Sequence, residues 1–127
     1  MKKIFWILIC IIFLCSCDSN MNEAVYRKIS AEEAHEIINS SEDYILLDVR
    51  TEEEYSEKRI DGAILIPDYE IASRAESELP DKNAVILVYC RSGIRSARAA
   101  NTLVDMDYTN IYDFGGILDW SYETIND

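Results

Sequence analysis

Short apolar runs alternate with helix-start signals along most of this chain, and this alternation restricts its fold more than any other feature. The run at residues 44–47 is closed by Asp48, and residues 51–54 (TEEE) then have the pattern of a capping box at a helix N-terminus. The run at residues 84–89 is the longest, so we expect it at the centre of a sheet. Compact runs of this kind are typical of strands buried on both faces. The pattern predicts an α/β fold, an open parallel sheet with helices on both faces.

The same signals locate the other elements. A second capping box, SAEE at residues 30–33, opens a helix that we expect to reach about residue 39. Pro67 and Pro80 end the strand and the helix that precede them. The remaining predicted strands are 24–29, 64–66 and 111–112, and the remaining predicted helices are a short one ending before Ile60, then 69–79, 96–106 and, after a turn at Gly115 and Gly116, 117–125.

Length and charge limit the number of domains and the class of partner. The chain has 127 residues, which is enough for one domain. It carries 12 Lys+Arg against 24 Asp+Glu, a net charge of -12. A nucleic-acid surface needs clustered basic residues to neutralise phosphates, so we expect no nucleic-acid partner.

The first residues have the pattern of a bacterial export signal. Lys2 and Lys3 precede the apolar run 4–14, which is much shorter than the roughly twenty residues of a membrane span. The run ends in LCSC at residues 14–17, which resembles the lipobox of bacterial lipoproteins. We expect a signal peptide at 1–16, an acylated Cys17 with a tether over 17–23, and a folded domain at 24–127. The protein would be exported and held by its lipid on the outer face of the bacterial cytoplasmic membrane or the periplasmic membrane surface.

The expected processing of the N-terminus reduces the four cysteines to one free thiol. Cleavage before Cys17 removes Cys10 and Cys15, and acylation uses Cys17, so Cys90 is the thiol that remains. A disulfide framework is then impossible within the monomer, although export would permit one. The one histidine, His35, is expected at the surface, and with a single thiol it offers no metal site.

Cys90 is the candidate nucleophile. It opens CRSGIR at residues 90–95, the turn after the longest predicted strand, and parallel sheets bind ligands at the carboxyl ends of their strands. The following helix N-terminus favours a thiolate, which is the nucleophilic form, and Gly93 lets the turn fold its amides around an anion. Arg91, Arg95 and Arg98 crowd the positive end of that helix, a conflict that a bound anion would remove. The alternative, a buried and inert Cys90, leaves these arginines unexplained.

Four stretches of the chain resemble the rhodanese homology domain, specifically a single-domain sulfurtransferase. They are LDVR and EEY within residues 47–55, IDGA and IP within 60–67, YCRSGIRS at 89–96, and GGI at 115–117 with Trp120. The resemblance implies a sheet of about five parallel strands. It also implies that the loop cysteine attacks a sulfane sulfur, becomes a persulfide and passes that sulfur to a thiophilic acceptor. We expect no cofactor and no metal.

The resemblance assigns roles to individual residues. Cys90 would be the nucleophile and persulfide carrier, and the side chains of Arg91 and Arg95 would hold an anionic donor such as thiosulfate, with Arg95 better placed. Asp48 and Arg50 would brace the neighbouring loop as an ion pair. The acceptor would be a thiol or cyanide, and a protein donor or acceptor stays open. The backbone amides of the loop would surround the transferred sulfur and stabilise its charge. The substrate-binding residues are therefore expected to be Arg91, Ser92, Gly93, Ile94, Arg95 and Ser96.

Two other functions stay open. A non-catalytic sulfur carrier or sulfide-sensing module would use the same cysteine. A cysteine phosphatase or arsenate reductase also places a thiolate in an anion-binding loop, but its pattern is Cys-x5-Arg, whereas Cys90 to Arg95 is Cys-x4-Arg. The chain also differs from the family at Arg59, where a histidine is common, and at Asp107, where a glycine is common; neither position is in the loop.

Overall fold

The computed structural model describes residues 25–40 and 43–127. The predicted signal peptide, the predicted acylation site Cys17, the tether and Ala24 lie outside the described residues. Within the described ranges, no helix combines the length and the apolar character that crossing a membrane requires.

Strands and helices alternate along the described chain. In order they are β1 (Arg27–Lys28), α1 (Ala31–Ser40), β2 (Ile45–Asp48), α2 (Glu52–Glu57), β3 (Ile64–Leu65), α3 (Ile71–Glu78), β4 (Ile86–Cys90), α4 (Ile94–Asp105) and β5 (Ile111–Gly116), with short 3-10 turns at Asp68–Glu70 and Ile117–Asp119. The strands form one parallel sheet of five in the order β1-β5-β4-β2-β3. The predicted fold class is confirmed, and the strand predicted to be central is β4.

Both predicted capping boxes are present. Ser30 Oγ accepts a hydrogen bond from the Glu33 amide at 3.0 Å, and the Ser30 amide donates back to the Glu33 carboxylate. Thr51 and Glu54 make the same reciprocal pair at the start of α2. Each box pairs amides that the first helical turn would otherwise leave unsatisfied, so both helices begin where the sequence predicts.

Alternate residues of the central strands pack on opposite faces of the sheet. Val88 and Cys90 of β4 face the side covered by α3 and α4, which supply the buried Ile71 and Leu103. Their neighbours Leu87 and Tyr89 face the side of α1, with Phe114 and Trp120. Both faces are therefore covered, which explains why β4 is buried along its whole length.

The prediction of a last helix at 117–125 is wrong. β5 continues through Gly115 and Gly116, well beyond the predicted 111–112, and only a 3-10 turn follows it. Ile125 instead forms an isolated antiparallel bridge with Arg59. The structure of this segment is therefore determined by its pairing with a distant part of the chain and not by its local helical pattern.

Other boundaries move as well, including the strand predicted at 84–89, which is Ile86–Cys90 in the structure. The first strand keeps only two residues of the predicted 24–29. The predicted helix 69–79 divides into the turn Asp68–Glu70 and α3. α4 begins at Ile94, two residues before the predicted Ser96, so the loop and the helix share residues 94 and 95.

Candidate active site

Cys90 is the last residue of β4, and its side chain lies beneath the loop that follows. The residue is fully buried. The Gly93 amide donates a hydrogen bond to Cys90 Sγ at 2.9 Å. Gly93 reaches this position with a φ of +107°, a conformation that a residue with a Cβ adopts only under strain. Gly93 therefore turns the chain so that an amide faces the sulfur.

The first turn of α4 supplies more backbone donors. The Ala97 amide is the first to donate along the helix, to the Gly93 carbonyl at 3.2 Å. The amides of residues 94–96 precede it, and helix geometry leaves such amides without intrahelical partners. Partial positive charge thus collects at the end of α4 that adjoins Cys90, as the sequence predicts.

Ser96 braces the loop with its side chain. It is buried, and its hydroxyl donates to the carbonyls of Gly93 at 3.1 Å and Gly115 at 3.3 Å. From the sequence, Ser96 is expected to act only through its backbone amide. Its hydroxyl ties the turn after β4 to the end of β5.

The backbone of Gly116 packs directly against the backbone of the loop. A Cβ at this position would lie 2.0 Å from the Arg91 carbonyl oxygen and 2.6 Å from Ser92 Cα, so no side chain fits. The Leu118 amide donates to the same Arg91 carbonyl at 3.2 Å. The end of β5 therefore shapes the loop backbone by direct contact, in register with Cys90.

The arginines near the loop are mostly paired with carboxylates. Arg95 makes a bidentate ion pair with Glu54, with Nη1–Oε1 and Nη2–Oε2 distances of 2.6 and 2.9 Å. Arg98 pairs with Asp68 at 2.8 Å. Arg95 and Arg98 therefore need no bound anion to balance their charge, contrary to expectation, because protein carboxylates balance it. Arg91 is exposed and has no such pairing within the described chain.

Glu54 is a site residue that the sequence does not predict. Its hydrogen bonds from Arg95, supported by those from Thr51, lower its pKa to about 2, despite partial burial. The carboxylate is thus ionised across the physiological range. The only local signal was its place in the capping box, which explains a role in α2 but not a contact with the loop.

Asp48 and Arg50 form a buried ion pair at the carboxyl end of β2. The Arg50 Nη2 and Asp48 Oδ2 atoms are 2.7 Å apart, and the Arg50 amide also donates to the Asp48 carboxylate at 2.9 Å. Arg50 also donates to the Lys58 carbonyl and lies over the ring of Tyr89, 5.6 Å from its centroid. The pair connects β2, the end of α2 and the residue before Cys90.

A small cleft of about 180 Å³ lies beside the loop, lined by Arg50, Glu54, Lys58, Arg91 and Leu118 among others. Two of the larger grooves, of about 770 and 870 Å³, border α1 and include no residue of the loop. We place the candidate site at the small cleft because it alone of the three adjoins the residues after Cys90.

His35 is half-buried and lines the larger of those surface grooves. Its ring stacks on Tyr122 with centroids 3.6 Å apart, and it meets the edge of Trp120 at 5.7 Å. His35 is partly exposed, which agrees with the predicted surface position, and its ring also packs on these two aromatic side chains. In the described part of the chain, no three potential metal-ligating side chains cluster together.

The structure is an α/β protein whose five-stranded parallel sheet holds a buried thiol at the carboxyl end of its central strand, the edge where sheets of this kind bind ligands. The model of the rhodanese-like domain family matches residues 30–123. The chain belongs to the rhodanese-like domain family, and it is a rhodanese-like sulfurtransferase.

Individual relatives agree with this placement. The thiosulfate sulfurtransferase PspE of Escherichia coli (strain K12) is 40% identical over 73 residues, which are 58% of this chain and 70% of the relative. A sulfurtransferase of Allochromatium vinosum is 34% identical over 95 residues, 74% of this chain and 87% of the relative. The solved structure of a rhodanese with anions from E. coli superposes with a TM-score of 0.62 at 34% identity, covering 66% of this chain and 99% of that one.

Proposed function

We propose that the chain transfers sulfane sulfur from thiosulfate or a persulfide donor to a thiophilic acceptor through a persulfide on Cys90. The observation that carries the proposal is the sulfur of Cys90 held at the end of β4 against the Gly93 amide. A backbone donor fixed in this way stabilises negative charge without having to reorganise during the reaction.

Two displacements at sulfur complete the proposed cycle. The Cys90 thiolate attacks the outer sulfur of thiosulfate, the S–S bond of thiosulfate breaks, and sulfite leaves with the bonding electrons. An acceptor thiolate or cyanide then attacks the outer sulfur of the persulfide, and Cys90 leaves as the thiolate. Atoms and electrons balance without an oxidant, and no general base is needed when the attacking group in each step is a thiolate or cyanide.

Arg91 is the proposed contact for the anionic group of the donor. It lines the cleft beside the loop, and its guanidinium is exposed, whereas Arg95 is engaged by Glu54. This role for Arg91 differs from the expectation based on the sequence, which favours Arg95 for this contact. Exchange of Arg91 for Gln should raise the KM for thiosulfate more than it lowers kcat, because it removes charge from a binding contact only.

The test follows the sulfur atom. Purified full chain mixed with thiosulfate should gain the mass of one sulfur on the peptide that contains Cys90, and it should release thiocyanate when cyanide is added. The Cys90→Ala variant should do neither, and activity retained in that variant would refute the proposal. A chain that loads sulfur but releases none to cyanide or small thiols would instead be a carrier, and hydrolysis of an aryl phosphate would indicate a phosphatase.

We also propose that Cys17 is acylated and that the domain is anchored at the outer face of a bacterial cytoplasmic membrane. The basis is the sequence pattern at residues 2–17. Mass spectrometry of the mature N-terminus should find a lipid-modified Cys17. An unmodified chain beginning at Met1 would contradict export.

A further inference from the structure

The ion pair between Glu54 and Arg95 joins two separate parts of the chain at the candidate site. The residues are 41 positions apart, yet both terminal nitrogens of the guanidinium reach both oxygens of the carboxylate. The side chains are 24% and 27% exposed, so the pair is partly shielded from water. Planar two-point contacts of this kind fix orientation as well as distance.

The carboxylate of Glu54 is also held by hydrogen bonds from Thr51. Thr51 donates to its Oε1 atom from the amide at 3.3 Å and from the hydroxyl at 3.1 Å, and the Thr51 hydroxyl accepts from the Glu54 amide. The carboxylate is therefore anchored to the first turn of α2, directly after β2. Through it, the turn after β2 is connected to the turn after β4.

Arg95 needs such an anchor because of where it lies. It is the second residue of α4, and a cation is unfavourable at the positive end of a helix. The hydrogen bonds that Arg95 donates to the Glu54 carboxylate do most to raise the pKa of Arg95, and the nearby charges of Cys90 and Asp68 add to the effect. A guanidinium released from Glu54 would thus be drawn towards the sulfur that the loop is built to present.

We propose that Glu54 is a positioning residue, which holds Arg95 away from Cys90 and thereby fixes the first turn of α4 in its working conformation. Its part in sulfur transfer rests on the proposed function. Glu54 exchanges no proton and touches no substrate in this role. It acts through the guanidinium of Arg95 alone.

A double-mutant cycle tests the proposal. Glu54→Gln removes the charge but keeps an acceptor for the cap, so α2 should still form. Glu53→Gln is the matched control, since Glu53 is the exposed neighbour on the same helix and makes the same charge change. We expect Glu54→Gln and Arg95→Met each to lower kcat about tenfold, and the double variant to fall no further.

Two further measurements separate positioning from a general loss of structure. The KM for thiosulfate should not rise in Glu54→Gln, because the cleft loses a negative charge, and Glu54→Asp should recover much of kcat. Additive losses in the double variant, or equal behaviour of Glu54→Gln and Glu53→Gln, would overturn the proposal.

Alkylation of Cys90 by iodoacetamide provides a readout that does not depend on sulfur transfer. Glu54→Gln should react about threefold faster or more, since a released loop opens access to a buried thiol, while Glu53→Gln should match the unsubstituted chain. If the unsubstituted chain takes no sulfur from thiosulfate, the proposed function fails, and this alkylation difference still decides whether Glu54 positions the loop. Equal rates in all three chains would refute the positioning role.

Discussion

Exchange of Arg50 for Met should destabilise the domain far more than the loss of a surface ion pair. Asp48 is completely buried and Arg50 is 4% exposed, so the exchange leaves a buried carboxylate without its cation. Removing one partner of a buried pair costs about 3–5 kcal/mol. We expect a value near the lower end, about 3 kcal/mol, because the amide of residue 50 still donates to Asp48. That is a large part of the roughly 5–15 kcal/mol by which a domain is stable.

Urea unfolding at neutral pH, followed by tryptophan fluorescence, measures this loss. The control is Arg74→Met, which removes an exposed arginine paired with Glu70 and Glu78 and should cost about 1 kcal/mol or less. Joint replacement of Asp48 and Arg50 by Leu and Met should recover stability, since no buried charge remains. A loss below about 1 kcal/mol for Arg50→Met, or a double variant no more stable than the single one, would refute the reasoning.

Three further predictions concern stability. The pKa of Glu54 is lowered from 4.5 to about 2, so its ion pair with Arg95 stabilises the folded state fully above pH 4.5 and is lost as the pH falls towards 2. Urea unfolding should show the Glu54→Gln variant about 1–2 kcal/mol less stable than the unsubstituted chain at pH 7, and this difference in stability should disappear near pH 2. Tyr89→Phe removes the hydroxyl that accepts from the buried Ile60 amide at 3.2 Å, and thermal unfolding should show a loss of about 1–3 kcal/mol. Asp107 has a φ of +71°, so its exchange for Gly should raise the stability of the domain by about 0.5–1 kcal/mol in the same thermal unfolding assay. An unchanged Tm would argue against backbone strain at this position.

Local signals account for the parts of the fold that were predicted. Capping boxes and apolar runs act over three to six residues, and the strands and helices that depend on them are found where expected. The segment after Gly116 has no capping box, and its local helical pattern does not determine its course. Its course depends on Trp120 and Tyr122 packing around His35 and on the bridge from Ile125 to Arg59, contacts that join distant parts of the chain.

Some residues of the candidate site can likewise be predicted from local sequence, and others cannot. The thiol, the glycine at positive φ and the helix N-terminus all fall within one short motif, so position 90 and its loop could be read from the sequence. The partners of the arginines could not, because a carboxylate able to meet Arg95 could come from any of several acidic positions. An acidic chain supplies many candidates, and only the packing of α2 beside the loop selects Glu54.

The close approach of Gly116 to the Arg91 carbonyl has a consequence for reading related sequences. A chain can keep every residue from Cys90 to Arg95 and still lose the shape of the loop, because any side chain at position 116 would push that carbonyl aside. The residue that decides this lies outside the cysteine motif, on a different strand. Surveys that count active members of the family by the loop alone will therefore overestimate them, and the residue at the end of β5 should be inspected together with the cysteine.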